Sequence, residues 1–182
     1  MTRDIWTILA ALVVTLAILA VGYLSLGLVP MLIFSSGFGI GFLLWLIFPA
    51  QPSLSRIKWP LILAAALFVL HRTEEYLSRF FDRLASLTGV ETPDVASWQV
   101  IALVVLSVGG WLATPFLVGR GWAFGYYLAW TFFAAMGITE LAHIVVFPVM
   151  AGQLLAYFPG MASVFLLAPV AWWGMSRLAS RG

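Results

Sequence analysis

The sequence predicts an all-α membrane protein: a polytopic bundle of about six transmembrane helices forming one domain, with both ends in the cytoplasm. Three observations predict it. Of 182 residues, 63% are hydrophobic and 9% charged, with a mean hydropathy of +1.07, whereas a soluble domain is nearer half apolar and a quarter charged. The apolar residues gather into six runs, each close to the ~20 residues that cross the hydrocarbon layer. The polar residues that remain suffice only for short connections. Runs this long and unbroken are helical, because a barrel strand would be about ten residues of alternating polarity. Lipid admits only helices and closed barrels, which satisfy their own backbone groups.

The first run, 5–28, is longer than a signal-peptide core and lacks a small-residue cleavage site, so it reads as a retained helix. The second, 31–50, lies between Pro30 and the pair Pro49 and Pro52. Its Gly37, Gly39 and Gly41 have no lysine or strand nearby, which favours close helix packing over a phosphate loop. The third run, 60–80, starts at Pro60. Residues 81–97, with Asp82, Arg83, Glu91, Pro93 and Asp94, form the one appreciable hydrophilic loop. Its stretch 81–87 suits a short amphipathic helix capping the outer end. The fourth run, 98–119, holds Gly109, Gly110 and Pro115, cues for a bend or a close contact. Gly119-Arg120-Gly121 makes a tight turn into the fifth run, 122–148, and residues 153–159 lead to the sixth, 160–178. Trp6, Trp59, Trp98, Trp122, Trp172 and Trp173 fall near run ends, where tryptophan anchors helices at the interface.

Basic residues set the orientation. With the N-terminus inside, Arg3, Arg56, Lys58, Arg120, Arg177 and Arg181 are cytoplasmic, against Arg79 and Arg83 outside. The absence of cysteine excludes disulfides and thiolate metal sites. A net charge of +2, thinly spread, offers no nucleic-acid surface. The partner this surface suits is the lipid bilayer; oligomeric state is left open.

The chemistry lies in the third and fifth runs. His71-Arg72-Thr73-Glu74-Glu75 and Glu140-Leu141-Ala142-His143 hold both histidines of the chain and three carboxylates. Ionisable groups at membrane depth cost several kcal/mol unless paired, and by default mark a functional site. His71, Glu74 and Glu75 share one helix face at i, i+3 and i+4, and Glu140 and His143 share another at i and i+3. Counted at ~1.5 Å per residue from Lys58 and Arg120, Glu75 and Glu140 lie roughly 26 and 30 Å along their helices. The two groups therefore meet in the outer half. Two imidazoles and three carboxylates make a ligand set for one or two divalent cations, zinc or iron. His71, Glu74, Glu75, Glu140 and His143 are the expected metal ligands, with Glu75 as bridging ligand or general base. Glu-x-x-His on facing helices is also the spacing of di-iron bundles, although the third run shows it reversed. Arg72 and Arg79 are the expected charge partners. Structural ion pairing and a metal-free proton or cation relay are the alternatives.

His71-Arg72-Thr73-Glu74-Glu75 resembles the namesake motif of the HXXEE family, small bacterial membrane proteins of uncharacterised function. His143 with Tyr157-Phe158-Pro159-Gly160 is similar to that family's later segment. The resemblance covers the third to sixth runs and implies a shared polar site at His71, Glu74, Glu75 and His143, in a bacterial cytoplasmic (inner) membrane. Glu74-Glu75 with Arg79 is also similar to the first motif of the CAAX-prenyl intramembrane proteases. That family needs two further histidine motifs, whereas this chain has one other histidine and no asparagine.

The expectation is a metal-dependent enzyme acting on a lipidic or membrane-dissolved substrate, with hydrolysis favoured over oxidation. A non-enzymatic proton, cation or small-ligand carrier is the alternative, and a scaffold subunit a third reading.

Overall fold

The computed structural model describes residues 3–91, 94, 96–153 and 156–180. Arg181, counted above among the cytoplasmic basic residues, and Pro93 of the hydrophilic loop lie outside the described residues.

Among the described residues, six helical segments are long and apolar enough to cross a membrane. The first, α1, spans Ile5–Leu26 and starts on Asp4, whose carboxylate accepts from the Thr7 backbone N–H at 2.7 Å. A single residue, Gly27, separates it from α2, Leu28–Ile47. Reversing the chain there needs φ 76° with ψ 177°, a conformation open to glycine and closed to residues with a Cβ. Pro30 sits in the first turn of α2, where its missing N–H has no helical partner to lose. That is why α2 begins before the proline and not after it. The α3 helix spans Leu54–Leu77 and carries Pro60 inside it, so the third span starts earlier than the proline suggested.

Arg79, with φ 56°, turns the chain sharply into α4, Phe80–Thr88. This short helix is amphipathic, with Phe80 and Leu84 buried beneath exposed Asp82 and Arg83. The next span, α5, covers Trp98–Gly119 and contains a π-helical turn at Val105–Gly109. The fifth span, expected to be continuous, is broken. Ala123–Gly137 forms α6, a 3₁₀ turn follows at Thr139–His143, and Val146–Met150 forms the short α7. The last span is α8, Met161–Ala179.

The α6 helix is the hub, with every residue except Phe124 buried. Small residues let its neighbours press close. A Cβ added at Gly37 or Gly41 of α2 would stand 2.6 Å from Ala135 Cα or 2.4 Å from Thr131 Cα. Helix association in lipid depends on such close packing, since no water is released. The outer surface stays apolar, with Leu24 and Leu112 about three-quarters exposed at 73% and 74%. Arg3 donates to Leu46 O and Phe48 O at the end of α2, and Arg56 to Ser180 Oγ at the end of α8. Both chain ends thus lie at the same end of the bundle.

Candidate metal centre

Among the described residues, His71, Glu75, Glu140 and His143 are the buried acids and imidazoles. They come from α3 and from the 3₁₀ turn that interrupts the fifth span. His71 and Glu75 stand one α-helical turn apart on α3. A 3₁₀ helix has three residues per turn, so Glu140 and His143 are eclipsed and point the same way.

The four side chains converge. His71 Nε2 lies 3.4 Å from Glu75 Oε1 and 3.2 Å from Glu140 Oε2. His143 Nε2 lies 3.3 Å from each of the same two oxygens. His71 Nε2, Glu75 Oε1 and His143 Nε2 are buried and have no hydrogen-bond partner among the described residues. Such groups are costly in a low-dielectric interior unless a protonated imidazole pairs with the carboxylates or a cation lies between them. A metal ion bound at about 2.0–2.1 Å holds tetrahedral ligands about 3.3–3.4 Å apart. The four imidazole–carboxylate distances are close to that edge length, while the donor atoms as a set spread over up to 4.8 Å. The cluster could therefore hold a metal ion.

The surrounding contacts aim the imidazoles. His143 Nδ1 donates to Pro159 O, a carbonyl that only accepts. The neutral ring therefore keeps its Nε2 lone pair on the cluster. Ser163 Oγ donates to Gly160 O at 3.1 Å and accepts from His71 Nδ1 at 2.9 Å, which fixes the second ring in the same tautomer. Outer contacts of this kind orient metal-binding histidines. Gly160, at φ 89°, permits the approach, because a Cβ there would meet His143 Nδ1 at 2.5 Å and His71 Cε1 at 2.9 Å.

Arg72 closes one side. Its Nη1 donates to Glu75 Oε2, and its Nη2 to Glu140 Oε1 at 3.0 Å. One guanidinium thus holds the outer oxygen of each carboxylate and turns the inner oxygens to the centre. Phe80 from α4, Phe147 and Phe158 cover another side, with the Phe80 ring 4.9 Å from His143. The expected amphipathic cap therefore exists, swung over the site by the turn at Arg79.

Two expected members lie elsewhere. Glu74 accepts from Tyr157 Oη at 2.7 Å, Ala162 N at 3.1 Å and Ser163 N at 2.8 Å. Both its oxygens are satisfied at the N-terminus of α8, where exposed backbone N–H groups favour an anion, and it does not join the four converging groups. Partial burial and the Glu74 carboxylate raise the Tyr157 phenol above its ordinary pKa. Arg79 pairs with Asp82 at 2.7 Å, away from the cluster. Sequence reasoning did not identify Ser163, or Pro159 and Gly160 as orienting residues; only the Pro-Gly pair ahead of α8 hinted at them.

No protein-family model, curated protein or solved structure matches this chain. Geometry alone carries its functional reading.

Proposed function

We propose that this chain is a metal-dependent intramembrane enzyme acting on a lipidic or membrane-dissolved substrate in a bacterial cytoplasmic membrane. The observation that carries it is the convergence of four buried donors, two imidazoles and two carboxylates 3.2–3.4 Å apart. With Glu74 committed to α8, four donors remain, enough for one ion and too few for the carboxylate-rich pair of a di-iron bundle. Two imidazoles and two carboxylates suit zinc or iron(II).

When bound, such an ion supplies Lewis acidity and lowers the pKa of a coordinated water. His71, Glu140 and His143 would hold it. Glu75, steadied by Arg72 through its outer oxygen, would serve as the fourth donor or as the base that accepts a proton from water. Glu75 lies two residues from the end of α3, or about 3 Å along the axis. That nearness to the interface favours hydrolysis over oxidation.

A second reading has its own support. The ligands Glu140 and His143 lie on a broken helix, and all four donors come from protein, leaving no open position in a tetrahedral site. Broken helices at ion sites are characteristic of carriers, and closed sites of non-catalytic metals.

Elemental analysis of purified protein tests the metal centre. One transition-metal ion per chain is expected, and it should vanish in the His71→Ala, His143→Ala double variant. Absence of metal, both as purified and after zinc titration, sinks both readings. Zinc uptake by proteoliposomes that requires Glu140, without any hydrolytic activity on lipid extracts, would transfer the assignment to the carrier.

A further inference from the structure

A cavity of about 500 Å³ lies beside the candidate metal centre, between α1, α2, α3, α4 and α5. Its size falls within the about 300–1,000 Å³ of small-molecule sites. Its walls are hydrocarbon and aromatic, with Ile18, Phe34, Phe38, Phe68, Leu103 and Trp111 from four of these helices. Among the described residues, the charged side chain that lines it is Arg72.

Arg72 belongs to both spaces. Two of its five N–H donors go to Glu75 and Glu140. Its side chain nevertheless keeps 36% exposure, while Glu75 behind it keeps 2%. The guanidinium also stacks on Phe68, its carbon 5.0 Å from the ring centroid. An occupant of the cavity therefore meets apolar walls along its length and unused guanidinium donors at one end. Glu75 and Glu140 offset a divalent ion at the centre, which leaves the guanidinium as the uncompensated positive charge. An anionic oxygen complements it.

We propose that this cavity is a binding site for a single-chain amphiphile, its hydrocarbon tail between α1, α2 and α5 and its anionic head, a carboxylate or phosphate, on Arg72. This names the substrate class of the enzyme proposed above and rests on that reading for the charge of the centre. The head would be anchored one side chain away from Glu75, and the bond to be hydrolysed would lie near that head.

Photolabelling in phosphatidylcholine nanodiscs tests the inference. The probe is a long-chain carboxylic acid carrying a diazirine in its tail, compared with the alcohol of the same length. The expected result is saturable labelling of Leu103 and Trp111 by the acid, removed by Ser107→Phe, which fills the cavity without touching the charges. Charge-assisted hydrogen bonds to one head are worth roughly 1.5–3 kcal/mol, so the alcohol and the Arg72→Gln variant should each need at least about tenfold more probe. Should Arg72→Gln fail to fold, the acid and alcohol on the unaltered chain still decide the role of charge. Non-saturable labelling confined to lipid-facing Leu24 and Leu112 overturns the proposal, as does equal labelling by acid and alcohol. Zinc measured in the same samples separates the two claims. Zinc without cavity labelling refutes the amphiphile site alone, and saturable cavity labelling without zinc refutes the metal enzyme alone.

Discussion

Glu74 and Glu75 are adjacent in sequence and about 100° apart around α3, and that angle gives them different work. Glu75 faces His143 and Glu140, while Glu74 faces the start of α8 and takes two backbone N–H groups and the Tyr157 hydroxyl. Glu75→Gln should therefore abolish stoichiometric zinc in elemental analysis. Glu74→Gln should retain it while lowering stability in a detergent melt by about 1–3 kcal/mol, the cost of weakening buried hydrogen bonds to a charge. Loss of zinc in Glu74→Gln would return that residue to the ligand set. The sequence made His71, Glu75, Glu140 and His143 legible, because ionisable groups in an apolar run demand an explanation. It could not divide the two glutamates. Positions i+3 and i+4 both share a face with His71, and the partners that claim Glu74 are main-chain groups, which leave no mark on side-chain spacing.

At the scale of elements, the decisive feature is the interruption of the fifth span. Its apolar run is continuous from Trp122 to Pro148, and hydropathy does not distinguish 3.0 residues per turn from 3.6. The break frees the Gly137 carbonyl, which Trp172 Nε1 of α8 takes up at 2.6 Å. A tryptophan read from sequence as an interfacial anchor is thus also a brace. Trp172→Phe should cost about 1–3 kcal/mol by leaving that carbonyl unsatisfied. By loosening the turn that carries Glu140 and His143, it should weaken zinc binding by on the order of tenfold. Calorimetric titration reads the second effect, and an unchanged affinity would mean that the turn holds its shape without the brace. Residues 81–87 suggested the amphipathic α4 helix, although its buried residues are Phe80 and Leu84. Its start one residue earlier, at Phe80, was not legible, since it depends on a left-handed arginine at position 79.

For the whole molecule, six spans followed from composition and run length, and the described residues form six such helices. Prolines misled at the boundaries, because Pro30 and Pro60 are accommodated within helices. Orientation can be tested directly, since the natural chain has no cysteine. Ser55→Cys should react with a membrane-impermeant thiol reagent only from the cytoplasmic side, and Ser86→Cys only from the opposite side. The reverse pattern would invert the assignment drawn from the basic residues.

The arrangement of one enclosed helix within a ring also governs how the sequence can change. Along α6 nearly every position faces protein, whereas only 6% of the α5 window is buried. Tolerance to substitution should then follow distance from the α6 axis more closely than position along the chain. A saturation library would find α5 permissive to most apolar exchanges and α6 permissive to few, so that the chain drifts at its rim while its axis stands still.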